Sequence, residues 1–137
     1  MARHGTARHG TARYAGKFQL YVGPAGSGSP LHWHNDAVNY AVHGAKLWTL
    51  LPPPHAVYSR RHATVDTEEF YHNSTALHCV QRAGDLMFVP DGWGHGVLNL
   101  ESSAGYAQSW NGEHKLFAHD VPHPYRYQGR EMLLNAG

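Results

Sequence analysis

Three histidines and an aspartate have the types and spacing to hold a metal ion. The run Pro30-Leu31-His32-Trp33-His34-Asn35-Asp36 places ligand-type side chains at alternate positions. Side chains alternate faces along a strand, so His32, His34 and Asp36 are expected on one face if the strand runs on. Far downstream, Gly84-Asp85-Leu86-Met87-Phe88-Val89-Pro90-Asp91-Gly92-Trp93-Gly94-His95 ends a short apolar run in a turn and a further histidine. An imidazole entering from a neighbouring strand would complete a one-sided ligand set. Such a set leaves positions open for water, cosubstrate or oxygen, as catalytic centres do and closed structural sites do not. With 13 histidines in the chain, most must be ordinary. His43, His55, His62, His72, His78, His114, His119 and His123 have no flanking motif and are read as packed or solvated rings.

The elements that must position these groups are short strands. The chain has 137 residues, enough for one domain with a buried core. Its 15 Gly and 8 Pro favour short strands and turns over long helices. Strand character recurs at 18–22, over one or two strands within 31–42, and at 46–51, 77–81, 86–89, 96–100 and 106–110. Gly-rich residues 23–30 read as a loop, without the Gly-Lys-Ser/Thr ending of a phosphate loop. Gly84-Asp85 reads as a tight turn. Residues 55–76 read as an irregular surface excursion, with a single helical turn at most over Thr67–Tyr71. Arg130 to Asn135 is a short helical candidate. The fold class expected is all-β, a barrel or sandwich. The expected organisation is a low-complexity, disordered leader over 1–15, a barrel over 16–112, and a C-terminal extension over 113–137 packing on or beside it.

Charge and composition narrow the function. A net charge of +1 gives no broad field for nucleic acid, so none is expected as a partner. No apolar stretch reaches the roughly 20 residues of a membrane helix. No secretory signal is visible, and the lone Cys79 makes no intrachain disulfide. A soluble, intracellular protein is expected. Compartment and oligomeric state are left open.

Several segments in order give a sharper expectation. Gly23-Pro24-Ala25-Gly26-Ser27-Gly28-Ser29-Pro30-Leu31-His32, then Gly44-Ala45-Lys46-Leu47-Trp48, Leu50-Leu51-Pro52-Pro53, the run from Gly84 to His95, and Val97-Leu98-Asn99-Leu100 resemble the JmjC family of cupin-type, 2-oxoglutarate-dependent non-haem iron oxygenases. The resemblance runs from about Phe18 to Asn111. It implies a double-stranded β-helix, with His32 and His95 as metal ligands and Fe(II) and 2-oxoglutarate as cofactors. Zinc, or another divalent ion, also suits three histidines. Lys46 matches the lysine that pairs with the far carboxylate of 2-oxoglutarate, and Ser29 a hydroxyl that helps hold it. Asn39 and Asn111 fall near positions that contact the cosubstrate or order the site. The implied chemistry is hydroxylase- or demethylase-type oxidation, on a protein or a small molecule, with release of succinate.

One departure matters. His34 stands where the resemblance leads one to expect Asp or Glu. A register shifted by two would read His34-Asn35-Asp36 with His95 and make Asp36 the carboxylate ligand. That shift removes Ser29 from its place and shortens the spacer to Lys46, so His32-His34-His95 is the preferred set and Asp36 the reserve. Three neutral imidazoles leave the full charge of Fe(II) in place, where a carboxylate would cancel one unit. Two other classes therefore stay open: a three-histidine cupin dioxygenase that does not use 2-oxoglutarate, and an inactive binding module.

Overall fold

The computed structural model describes residues 16–110. The expectations for 1–15, Asn111, 113–137 and the helical candidate Arg130 to Asn135 lie outside the described residues. Eight strands follow in order: β1 Gly16–Gly23, β2 Gly28–His32, β3 Ala37–His43, β4 Ala45–Leu51, β5 Leu77–Arg82, β6 Leu86–Val89, β7 Gly94–Asn99 and β8 Ser103–Trp110. They form two antiparallel four-stranded sheets, ordered β1-β8-β3-β6 and β2-β7-β4-β5. This is the all-β double-stranded β-helix expected of the chain. The turns sit where the glycines do. Gly44, Gly84 and Gly92 have φ of 82°, 93° and 77°, a region that costs glycine little and other residues more.

Hydrophobic residues fill only part of the interior. Leu31, Ala41, Trp48, Leu51, Val89 and Val97 are buried, with Trp48, Val89 and Val97 in contact. Polar side chains seal the rest. Gln81 is 2% exposed and satisfied at both ends of its amide. Its Oε1 accepts from Trp48 Nε1 at 2.9 Å, and its Nε2 donates to the carbonyls of Asn39 at 2.8 Å and Asp85 at 3.1 Å. One glutamine therefore ties β4 and β5 of one sheet to β3 of the other. A buried amide left half-satisfied would cost more than the bonds contribute.

Two local readings are corrected. The excursion after β4 contains a 3₁₀ turn over Pro53–His55 and a helix, α1, over Ala63–Phe70, in place of a single turn near 67–71. Its N-cap is His62, whose ring accepts from the Thr64 amide. The helix left no apolar periodicity because its buried face is Ala63, Asp66 and Thr67, with Asp66 held by polar contacts. The loop expected over 23–30 is shorter, because β2 already begins at Gly28. A side chain at Gly28 would run into the Val97 carbonyl and would reach within 3.0 Å of Ala63 Cβ, so the glycine lets β2, β7 and α1 close up.

Candidate metal centre and cosubstrate cavity

His32 is the last residue of β2 and pairs directly with His95 of β7. The alternation argument for His34 does not hold, because β2 ends at His32 and His34 lies in the bend before β3. Its ring nevertheless joins the other two. Ligand nitrogens of His32, His34 and His95 all lie within 4.8 Å of one another. Ring centroids are 4.2 Å apart for His32–His95, 4.7 Å for His34–His95 and 5.4 Å for His32–His34.

Each ring is oriented by a backbone carbonyl. Nδ1 lies 2.8 Å from Pro30 O in His32, 2.7 Å from Asn35 O in His34 and 3.0 Å from Trp93 O in His95. A carbonyl accepts only, so each Nδ1 carries the proton and each Nε2 keeps its lone pair. This tautomer is the one that ligates a metal through Nε2, and the second hydrogen bond fixes the ring. Burial lowers the proton affinity of two of the rings. His95 is pushed down to about 3, first by burial and then by its two imidazole neighbours. His32 is lowered by burial and by His34, against the opposing pull of the Pro30 carbonyl. Neutral imidazoles with free lone pairs fit a divalent cation.

The same three rings line a cavity of about 640 Å³ between the sheets, together with Ser29, Asn39 and Lys46. Lys46 is 5% exposed, and no carboxylate pairs with it among the described residues. Its ammonium lies 3.2 Å from the centroid of the Tyr21 ring. Burial lowers its pKa to about 8. A desolvated cation facing a cavity is suited to an anion, and a carboxylate from solution would supply one. Asn39 accepts from the Tyr21 hydroxyl at 2.8 Å. The Ser29 hydroxyl lies 3.3 Å from His32 Nδ1, on the ring edge opposite Nε2.

Asp36 is not brought into the cluster. It is 3% exposed, and its Oδ1 accepts from the Asp91 amide at 2.8 Å, which ties the bend carrying His34 to the turn before His95. The Gly92 amide donates to His34 O at 3.0 Å in the same place.

Sequence reasoning passed over three cavity residues. Tyr21 carries the ring beneath Lys46, and burial raises its hydroxyl to about 12. Its signal was Gly105, its partner across β1 and β8, where any Cβ would meet the Tyr21 hydroxyl. A glycine inside a strand marks such a close approach. Trp48 lines the wall with its ring centroid 6.1 Å from that of His95. Asn99 lies opposite Lys46 in the β4–β7 ladder. Among the described residues no helix is long and apolar enough to cross a membrane.

The JmjC domain family model matches residues 9–115. The chain is 35% identical over 106 residues to "Arginine-specific demethylase JMJ20" of Arabidopsis thaliana, covering 66% of this chain and 23% of that protein. It is 35% identical over 108 residues to "2-oxoglutarate and iron-dependent oxygenase JMJD4" of Homo sapiens, covering 66% of this chain and 26% of that protein. It is 31% identical over 103 residues to human "JmjC domain-containing protein 8", covering 63% and 35%. The chain thus spans between 23% and 35% of the length of these relatives. Among solved structures, a variant of Bacillus subtilis oxalate decarboxylase shares the fold, with a TM-score of 0.51, 17% identity, and coverage of 72% of this chain and 22% of that one. On these matches, and on a barrel whose strands carry the matching motifs, the chain belongs to the JmjC domain family.

Proposed function

We propose that this chain is an Fe(II)- and 2-oxoglutarate-dependent oxygenase domain of the hydroxylase or demethylase type, acting on a protein substrate. One observation carries the reading. Three imidazoles with free Nε2 lone pairs line a single cavity with a buried Lys46 that has no carboxylate partner among the described residues. A cation site and an anion site in one pocket suit a metal and a chelating dicarboxylate.

His32, His34 and His95 hold the metal, each ring fixed by its backbone carbonyl. Lys46 pairs with the far carboxylate of 2-oxoglutarate, while Tyr21 supports the ammonium and is itself set by Asn39. Ser29 lines the same cavity, its hydroxyl beside the Nδ1 edge of His32. His95 and Lys46 are buried, which strengthens the contacts they make. When bound, the metal and 2-oxoglutarate supply oxygen activation, decarboxylation to succinate and oxidation of a substrate C–H bond. Asp36 lies outside the cluster and, through its bond from the Asp91 amide, holds the segment that carries His34.

His34 in place of a carboxylate supports a second reading, a three-histidine dioxygenase working without 2-oxoglutarate. Both are tested together. Purified protein given Fe(II), oxygen and 2-oxoglutarate is expected to release succinate above a His95→Ala control, and His34→Asp is expected to keep or raise that rate. Oxygen uptake that ignores 2-oxoglutarate would select the second reading. Metal retention with neither activity would leave a binding module.

A further inference from the structure

The excursion between β4 and β5 grips the ligand-bearing strand at positions that alternate with the ligands. Among the described residues β2 is the outer strand of its sheet, paired with β7. The backbone groups of Leu31 and Trp33 that face away from β7 would otherwise lack partners. Residues 56–66 supply them. Leu31 N–H donates to Asp66 Oδ2 at 3.0 Å, and Leu31 O accepts from the Ser59 amide at 2.8 Å. Trp33 O accepts from the Tyr58 hydroxyl at 2.7 Å, with the two rings 5.4 Å apart. The bonds thus fall on the residues immediately before His32 and before His34. On the other ligand strand, a Cβ at Gly94, just before His95, would lie 3.0 Å from Ala56 Cα, so the same segment rests against β7.

The grip is braced from within. Asp66 is 2% exposed, yet each carboxylate oxygen is engaged. Oδ2 takes the Leu31 amide, while Oδ1 accepts from Ser59 Oγ at 2.7 Å and Arg61 Nε at 3.1 Å. Leu31 itself is fully buried. A buried carboxylate satisfied in this way is stiff, because losing any partner would leave charge unpaired. The β2–β7 ladder is irregular between Ser29 and His32, so β7 alone does not set the backbone at Leu31.

We propose that residues 56–66 form a clasp that sets the geometry of the three-imidazole centre, with Asp66 the positioning residue for His32 and Tyr58 for His34. This rests on the metal reading above. Groups that orient ligands from behind typically change metal affinity by about 10–100-fold when removed.

The test is Co(II) titration of the full chain, followed by the visible absorption of the bound ion, which reports coordination geometry. Asp66→Ala is expected to weaken Co(II) binding by at least about 10-fold and alter the spectrum. Asp66→Asn, which keeps an acceptor for Leu31 N–H, should recover part of the loss. Tyr58→Phe, at a half-exposed ring, should weaken binding a few-fold with an unchanged melting temperature. Ser103→Ala removes a buried hydroxyl that bonds Ala45 O and Glu101 O outside the clasp. It should lower the melting temperature and leave Co(II) affinity and spectrum as in the wild type. If Asp66→Ala does not fold, Asp66→Asn and Tyr58→Phe decide. Wild-type affinity and spectrum in both would overturn the clasp alone, whereas a wild-type chain that takes up no Co(II) would overturn the metal reading and the clasp with it.

Discussion

At one end of the cavity three imidazoles meet with their protons committed to backbone carbonyls, and at the other a single ammonium lies on the face of a tyrosine. Both ends are desolvated, and His32, His95 and Lys46 have depressed proton affinity chiefly for that reason. The consequences are opposite. Burial at the histidine end produces neutral lone pairs, which is what a cation needs. Burial at the Lys46 end leaves a positive charge poorly solvated, which is what an anion relieves. The first end is prepared by hydrogen bonds made before any ligand arrives. The second is left incomplete until one does.

The largest expected contrast comes from truncating each end. His95→Ala should cost more than about 100-fold in Fe(II) affinity by removing a ligand that the other two rings cannot replace. Lys46→Met should leave Fe(II) affinity within about twofold but lower 2-oxoglutarate affinity by about 10–100-fold, the range of a lost charge-assisted bond. The ligand-free Lys46→Met protein should also melt higher than the wild type, because an unpaired buried cation has been replaced by an apolar chain. Anaerobic titration calorimetry and thermal melts read both.

A smaller effect separates the ends by pH. His95 titrates near 3 in the fold against an ordinary 6.5, so below pH 6.5 the unfolded chain binds more protons. Metal-free stability should therefore fall as pH drops from about 6.5 toward 3, by at most about 1.4 kcal/mol per pH unit for this one group. Lys46 titrates near 8 against 10.5, so stability should rise as pH increases between those values. Urea melts across both windows check this. The acid slope should flatten in His95→Ala and the alkaline slope in Lys46→Met. Unchanged slopes in the variants would show that other groups set them.

Much of this arrangement was legible in the sequence, and for physical reasons. Strand-like runs marked six of the eight strands to within a few residues, while β2 and β3 were one undivided stretch whose start was read as loop, and the positive-φ glycines 44, 84 and 92 marked turns. His32 and His95 stood out through the motifs that flank them, and Lys46 only through the resemblance, since a lone strand lysine often just reaches to solvent. The bend at 33–36 was not legible. His34 reaches the cluster through a loop pinned by Asp36 and Gly92, and no strand periodicity predicts that. Helix α1 was missed because a buried aspartate occupies the place where periodicity looks for leucine. Tyr21 looked like any strand tyrosine, since its role appears only when Lys46 and Gly105 are brought beside it.

The most direct measurement is 2-oxoglutarate affinity under nitrogen, with and without Fe(II). One pocket that holds the metal at its histidines and the far carboxylate at Lys46 predicts at least about tenfold tighter binding when Fe(II) is present, and loss of that gain in His95→Ala. Equal affinity with and without the metal would contradict it.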